Sequence, residues 1–177
     1  MPVLVEAISV IVKLDAIGRL MDDDWSKFVE IVPNQTLCCD NEVARIGFMN
    51  AQDAEAFVKV LEGLGFRFMD ESDIAQDLVV MDQLHGPFTE CEWLEWGTVR
   101  MNEAGEKVTV CRLKGGHEQG FFTPEGWKFE GSLSQRFDFK EEADPSERYR
   151  HLRTEDGVDV YYDTATGREV YTGRTSG

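Results

Sequence analysis

The run VLVEAISVIV, from Val3 to Val12, constrains the fold more than any other stretch of this chain. It is rich in β-branched residues and apolar on both alternating faces, which is typical of a strand covered on both sides. Glu6 and Ser9 interrupt it, so it falls short of the ~18 apolar residues of a membrane span. No basic region precedes it, so a signal peptide is not expected. We predict a central strand, and no membrane as a partner.

A first helix is predicted where three aspartates, Asp22 to Asp24, precede the sequence WSKFVEIVP. Its apolar residues lie at i, i+3, i+4 and i+7, which places them on one helical face. They are Trp25, Phe28, Val29 and Val32. The aspartates suit the helix N-terminus, where the helix dipole favours negative charge, and Pro33 ends the helix. A metal site is the alternative role for the aspartates, and capping is the simpler one.

A second helix is predicted after Asn50, which can cap it together with Asp53 three positions later. Its apolar face consists of Ala54, Phe57, Val58 and Leu61. Two short strands around a turn at residues 40–42 separate the helices, and a last strand follows at FRFM or at DLVVMD. The order strand, helix, strand, strand, helix, strand predicts an α+β protein with a ferredoxin-like split βαβ over residues 1–84.

The second half of the chain is β-rich. Residues 85–140 are predicted to form an antiparallel extension in which Gly105 turns a hairpin and GWKFEGSLSQRFDF is a strand bent at Gly131. Residues 141–177 are predicted to be a charged linker and a C-terminal hairpin with Gly167 at its turn. The stretch KEEADPSERYR, Lys140 to Arg150, is charged and contains a proline, so it is either this linker or a short exposed helix. The three segments are expected to form one compact unit.

The stretch from Val160 to Gly173, VYYDTATGREVYTG, resembles the second hairpin of a WW domain in its aromatic residues and threonine–glycine turn. A WW domain also carries an early and a late tryptophan, and then a proline. Here tyrosines, Tyr149 and Tyr171, stand near those tryptophan positions, and no proline follows. We therefore predict a hairpin without WW function, in which Tyr161, Tyr162 and Tyr171 pack the strands onto the sheet as cross-strand pairs.

The chain is strongly acidic, with 34 Asp and Glu residues against 18 Lys and Arg residues and a formal net charge of −16. Such a surface repels a phosphate backbone, and the only basic cluster is the weak one from Arg148 to Arg153, so no nucleic acid is expected. The surface either attracts a basic partner or mimics nucleic acid, or it serves solubility, as in many bacterial cytoplasmic proteins.

The four cysteines are too few, in a chain of this length, for the disulfide framework of a secreted protein. We therefore expect a cytoplasmic protein with reduced thiols.

The segment from His85 to Gly97, HGPFTECEWLEWG, is the candidate site. It brings together a histidine, a cysteine, glutamates and two tryptophans, and tryptophan is enriched at binding hot spots. The candidate residues for binding a partner or ligand are His85, Cys91, Trp93, Trp96 and, from a later glycine-rich loop, His117. In a strand, the two tryptophans would point to opposite faces. The simplest alternative is that both only pack the core.

Motifs for catalysis or metal binding do not accompany this segment. The chain contains no CxxC, HxH, HExxH, GxSxG or Walker A pattern. Acidic neighbours, Glu90 and Glu92, raise the pKa expected for the Cys91 thiol and disfavour a reactive thiolate. The best metal-binding trio is His85, Cys91 and His117, and separate loop and strand roles explain these residues more simply. We predict no cofactor and no structural metal.

The sequence favours a non-catalytic binding or regulatory protein, similar in kind to immunity and antitoxin proteins, that engages a basic partner. The alternative is a small enzyme or ligand-binding protein with a pocket lined by His85, Trp93, Trp96 and His117. A cleft that gathers these residues favours the alternative, whereas a flat acidic face favours the first function. No oligomeric state is predicted.

Overall fold

The computed structural model describes residues 1–101, 103, 105–116, 120–136, 149–155, 158–164 and 167–172. Within these residues the protein is a mixed α+β structure with antiparallel sheets, as predicted. The strands are β1 (Val3–Val5), β2 (Ile8–Lys13), β3 (Cys38–Cys39), β4 (Val43–Phe48), β5 (Leu78–Asp82), β6 (Gly86–Pro87), β7 (Leu94–Arg100), β8 (Lys107–Leu113), β9 (Tyr149–Glu155), β10 (Val158–Asp163) and β11 (Arg168–Thr172). The helices are α1 (Leu14–Leu20), α2 (Trp25–Ile31), α3 (Ala51–Gly63) and α4 (Leu133–Arg136). None of these helices combines the length and apolar character needed to cross a membrane.

The apolar run at the N-terminus forms two strands, so the prediction of a single strand is wrong. β1 pairs with β8 in a three-stranded sheet, whereas β2 lies at the centre of a five-stranded sheet. The chain bends between them, where Ala7 has a φ of 48°, in the left-handed region that few residues other than glycine adopt. Ser134 holds the bend, because its backbone N–H and its hydroxyl donate to Glu6 Oε1 at 3.0 and 2.7 Å.

The five-stranded sheet has the order β3-β4-β2-β5-β6, and its neighbouring strands are antiparallel. The helices α1 and α2 connect β2 to β3, and α3 connects β4 to β5, so the predicted alternation of strands and helices is present. Of the two positions offered for the last strand, the chain uses Leu78–Asp82. The other, FRFM, makes only an isolated bridge between Met69 and Ala75.

The two largest core clusters lie on the two faces of the five-stranded sheet. Alternate residues of β2, such as Val10, pack in one cluster with Phe28 of α2 and Phe57 of α3. Residues of the opposite parity, such as Ile11, pack with Cys111 of the three-stranded sheet, whose order is β1-β8-β7. The five-stranded sheet is therefore covered on both faces, which explains why its central strand has no polar side.

The long helix α3 follows its sequence signals. Asn50 caps it: the side chain accepts from Asp53 N at 2.8 Å and donates to Asp53 Oδ2 at 2.9 Å. The predicted apolar face is confirmed, because all four of its residues are buried. They are Ala54, Phe57, Val58 and Leu61.

The short helix α2 buries only part of its predicted face. Phe28 is fully buried, but Trp25 and Val29 are 38% and 42% exposed, so only part of the apolar face lies in the core. Val32 lies at the C-cap, just beyond the helix. A helix of seven residues makes only about two turns, so few of its positions can reach the sheet.

The three aspartates before α2 form its N-terminal turn. Asp24 accepts a hydrogen bond from Ser26 N at 3.0 Å, which confirms the capping role for this residue. Asp22 binds Lys27 Nζ at 3.1 Å, and Asp22 and Asp23 adopt left-handed φ values of 55° and 56°. The aspartates therefore shape the turn into the helix.

Both predicted hairpins of the second half are present. β7 and β8 pair across a turn that contains Gly105, with a φ of 83°, and β10 and β11 pair across one that contains Gly167, with a φ of 68°. β9 adds a third strand to the C-terminal hairpin, which gives the order β11-β10-β9. The predicted linker ends too late, because its last residues, Tyr149 and Arg150, begin β9. Linker residues 140–148 lie outside the described residues.

The predicted strand GWKFEGSLSQRFDF does not form in its described part, residues 126–136. The chain turns there, with a left-handed φ of 77° at Gly131, and then enters α4. Trp127 and Phe129 instead cover the outer face of the three-stranded sheet, where they pack with Leu4. Alternating aromatic residues can pack on an apolar sheet from a loop as well as from a strand. The spacing of Trp127 and Phe129 therefore does not distinguish a loop from a strand.

Tyrosine side chains dock the C-terminal sheet onto the rest of the protein. Tyr149 and Tyr161 are buried in a cluster with Met49. Tyr161 Oη also donates to Asp53 Oδ2 of α3 at 2.8 Å. Tyr161 therefore has the packing role predicted for it, whereas the side chain of Tyr171 lies outside the described part.

Candidate functional site

The predicted site segment connects the two packed sheets. It leaves β5 through a tight turn, forms the short strand β6, and continues into β7 of the three-stranded sheet. Both β6 and β7 are edge strands, so the segment runs along the rim of the sheet sandwich. Edge strands expose backbone N–H and C=O groups to which a partner can bind, so this rim is accessible for binding.

His85 is exposed and is oriented by a buried carboxylate. Asp82 Oδ1 lies 2.9 Å from His85 Nδ1 and also accepts from the backbone N–H groups of Leu84 and His85, at 2.7 and 2.9 Å. The side chain of His85 is 74% exposed, whereas that of Asp82 is 3% exposed. Asp82 thus fixes the turn and points the other ring nitrogen of His85 away from the carboxylate.

Trp96 lies directly on the backbone of Gly86. Gly86 has a φ of 84°, and a Cβ added there would overlap the Cζ2 and Cε2 atoms of the Trp96 ring. The indole is still 43% exposed. Glycine is therefore required at this position for two reasons, the left-handed backbone and the close approach of the ring.

We expect Gly86→Ala to destabilise the protein. The backbone conformation costs a residue with Cβ roughly 1–2 kcal/mol, and forcing a methyl into the ring contact costs roughly 1–3 kcal/mol more. Gly105→Ala is the matched control, because Gly105 has a φ of 83° and nothing lies within 4 Å of its added Cβ. Urea unfolding of both variants measures the difference, and equal losses would show that the Trp96 contact has no energetic weight.

Trp93 occupies a different environment from Trp96. Its Nε1 donates to the carbonyl of Ala75 at 3.0 Å, and Lys13 Nζ lies 4.7 Å from the ring centroid. Trp93 lines a depression of about 460 Å³ that also contains Lys13 and Lys114. Trp96 lines another, of about 370 Å³, with the ion-paired Glu95 and Arg112. The structure therefore brings His85 and Trp96 to neighbouring positions, while in the described part of the chain Trp93 and Trp96 line these two separate depressions.

The thiol of Cys91 is held in its protonated form. Its burial raises the thiol pKa, and this burial, rather than Glu90 and Glu92, is the main cause. The other three cysteines share this direction, and burial raises the pKa of Cys38 to about 11. Because the thiolate is the nucleophilic form, none of the four is activated.

His117, the remaining candidate, lies outside the described residues, and so does any metal trio that includes it. Within the described part of the chain, no group of three or more His, Cys, Asp and Glu side chains could hold a metal ion.

Sequence reasoning missed Phe88, which at 58% is the most exposed large apolar side chain in the described residues. The adjacent loop, residues 70–74, meets the segment through a bridge between Ile74 and Glu90, and Ala75 N donates to Glu90 O at 2.8 Å. Exposed carboxylates occupy both loops. We call Phe88 with Glu71, Asp73, Glu90 and Glu92 the Phe88 edge. The available signal was an aromatic residue between a proline turn and a run of acidic residues.

No protein-family model, no curated protein and no solved structure matches this chain.

Proposed function

We propose that this protein is a non-catalytic binding or regulatory protein, of the kind that immunity and antitoxin proteins represent, and that it engages a basic partner. The observation that carries this proposal is the Phe88 edge, an exposed aromatic side chain among exposed carboxylates. It belongs to a chain with a net charge of −16, so the molecule as a whole attracts a basic protein, and the carboxylates of the edge contribute to this attraction.

The composition of the Phe88 edge matches that of a protein interface. Interfaces combine an apolar centre with a polar rim, and aromatic residues supply much of their binding energy. Burying a phenylalanine side chain contributes roughly 1.5–3 kcal/mol, while rim carboxylates mainly raise the association rate and select the partner. A partner with a basic rim around an apolar pocket would complement both features.

Two observations favour binding over catalysis. The four thiols have raised pKa values, which disfavours a cysteine nucleophile. Trp93 and Trp96 line separate depressions, which weighs against the alternative of one pocket shared with His85 and His117. The pairing of His85 with Asp82 is the feature that supports this alternative, since it resembles the base–orienter half of a catalytic site.

We further infer that the first half has the ferredoxin-like split βαβ topology. The strand order β3-β4-β2-β5, with helices before β3 and between β4 and β5, supports this assignment. An experimental structure in which β2 does not lie between β4 and β5 would contradict it.

We also propose that the protein acts in the cytoplasm. All four cysteines are free, as expected for a reducing compartment. Fractionation of the native host tests this proposal, and recovery in an oxidising compartment would contradict it.

The partner should associate through long-range attraction. The Debye length shortens from ~30 Å at 0.01 M salt to ~10 Å at 0.1 M, so the association rate should fall over this range. The partner is first captured from native host lysate on the immobilised protein, and its rates are then measured by surface plasmon resonance. Neutralising the edge by Glu71→Gln, Asp73→Asn, Glu90→Gln and Glu92→Gln should slow association more than it speeds dissociation.

A matched variant controls for net charge alone. It removes four exposed carboxylates from the helical layer through Asp22→Asn, Asp23→Asn, Glu30→Gln and Glu62→Gln. The association rate should fall less in this variant than in the edge variant. The linker carboxylates Glu141, Glu142 and Asp144, which are further targets, lie outside the described residues. If no partner is captured at any salt concentration, the proposal is contradicted and the acidic surface serves solubility. If a partner is captured equally well at all salt concentrations, the electrostatic account is contradicted and an apolar interface at Trp93 or Trp96 is indicated.

A further inference from the structure

A cleft of about 290 Å³ lies between the end of α2, one side of α3 and the strand β9. Its apolar walls are formed by Ile31, Pro33, Phe48, Ala56, Phe57 and Val60. Three polar side chains, Asp53, His151 and Thr154, line the same cleft. Ligand sites are typically mostly apolar, contain a few polar groups and span ~300–1,000 Å³, so this cleft, at the lower limit of that range, suits only a small ligand.

Asp53 is the charged group of the cleft. Its Oδ2 accepts from Tyr161 Oη at 2.8 Å and from Asn50 Nδ2 at 2.9 Å, which fixes the carboxylate in place. Its Oδ1 accepts no hydrogen bond, and Asp53 forms no ion pair, within the described residues. Asp53 lies in the first turn of α3, the end of a helix at which acidic residues are commonly found. The cleft therefore contains a positioned carboxylate with one uncommitted oxygen.

The apolar wall offers surface that the core does not use. Val60 is 47% exposed although it lies on α3, beside the fully buried Leu61. At the opposite end, the ring of His151 packs edge-on against Tyr161 with 5.1 Å between centroids, and His151 Nε2 lies 3.3 Å from Thr154 Oγ1. A ligand can therefore cover an apolar wall while its head group reaches the carboxylate.

We propose that this cleft binds a small primary amine that has an aromatic or branched aliphatic body. The ammonium group donates to Asp53 Oδ1, and the body covers Val60 and Ile31. An anion would be repelled by the carboxylate, and a neutral ligand would forgo the charge-assisted hydrogen bond. The proposal is independent of the basic partner and of the Phe88 edge, so either can fail without the other.

Titration of the full chain with 2-phenylethylamine, followed by amide chemical shifts in NMR spectra, tests the proposal. Shifts should concentrate on α3 and β9, and affinity should exceed that for the neutral isostere 2-phenylethanol roughly tenfold, as expected for a hydrogen bond to a charged group. Equal affinities, or shifts located elsewhere, would overturn it. N-acetyl-lysine methylamide carries a primary ammonium on an unbranched alkyl chain, without an aromatic or branched body, and should bind more weakly. Equal binding would point to a lysine side chain of a protein instead and overturn the proposed ligand class.

Three variants locate the interaction. Asp53→Asn should lower amine affinity roughly tenfold, whereas Glu55→Gln, which removes an exposed carboxylate that pairs with Lys59 on the same helix, should not. Ala56→Phe keeps the carboxylate but fills the cleft, and it should abolish binding. If Asp53→Asn fails to fold, Ala56→Phe decides the matter, since amine binding retained in that variant would overturn the assignment of the cleft.

Discussion

The Arg45→Ala variant is expected to lose roughly 3–5 kcal/mol of the free energy of unfolding, because it breaks a buried ion pair from one side. Arg45 is only 1% exposed and points from β4 toward β1. Its Nε donates to the carbonyl of Leu4, and its Nη1 donates to the carbonyl of Thr36 at 3.0 Å. Its Nη2 lies 3.9 Å from Glu6 Oε2. Alanine would leave two buried carbonyls without these donors, a cavity, and a buried carboxylate without this cation.

A second pair of variants separates the charge from the cavity. Arg45→Met retains much of the side-chain volume, so its loss of stability reports mainly on the polar interactions. Adding Glu6→Gln to Arg45→Met should recover stability, because the amide oxygen can still accept from Ser134 and neither member of the pair is then charged. Urea unfolding followed by circular dichroism completes this double-mutant cycle. If Glu6→Gln has the same effect with and without Arg45, the two side chains are not coupled and the explanation is wrong.

The Leu61→Ala variant should lose roughly 2–5 kcal/mol, since it removes a fully buried side chain and leaves a cavity. Leu61 is 0% exposed and belongs to the cluster between α3 and the five-stranded sheet, together with Phe28 and Val10. The same unfolding measurement checks this value.

The neighbouring residue provides the control for this substitution. Val60 lies on the same helix and is 47% exposed, so Val60→Ala should change stability by only about 0.5 kcal/mol. Both substitutions shorten an aliphatic side chain to alanine, and they differ mainly in burial. A loss below about 0.5 kcal/mol for Leu61→Ala would contradict the buried face assigned to α3.

Helix length decided how much of each buried face could be predicted. In α3, thirteen residues repeat the apolar pattern over several turns, and the Asn50 cap sets where the pattern begins. Only one face of such a helix presents apolar residues in every turn, and that face is buried. In α2, seven residues form only about two turns, so the apolar spacing is not repeated often enough to identify the buried face. Trp25 and Val29 remain partly exposed despite their spacing.

The residue types in the segment from His85 to Gly97 indicate a candidate site, but residue types alone do not determine which side chains come into contact. Trp96 could approach Gly86 because glycine lacks a Cβ, and Trp93 found its acceptor at Ala75, 18 positions away. The exposure of Phe88 depends on how the rim segment turns between two sheets. Each of these contacts joins residues from different elements, so periodicity within one element carries no information about it.

The sequence by itself determined the alternation of strands and helical connections from β2 to β5, the cap of α3 and the turns of the two hairpins, because these depend on residues a few positions apart. Only the tertiary structure decided that the N-terminal run divides between two sheets, since alternation with a period of two is the same in either sheet. Glu6 is satisfied by Ser134, 128 positions away, and Asp53 by Tyr161, 108 positions away. Buried polar groups must find hydrogen-bond partners wherever the folded chain supplies them, and no local pattern specifies where that is.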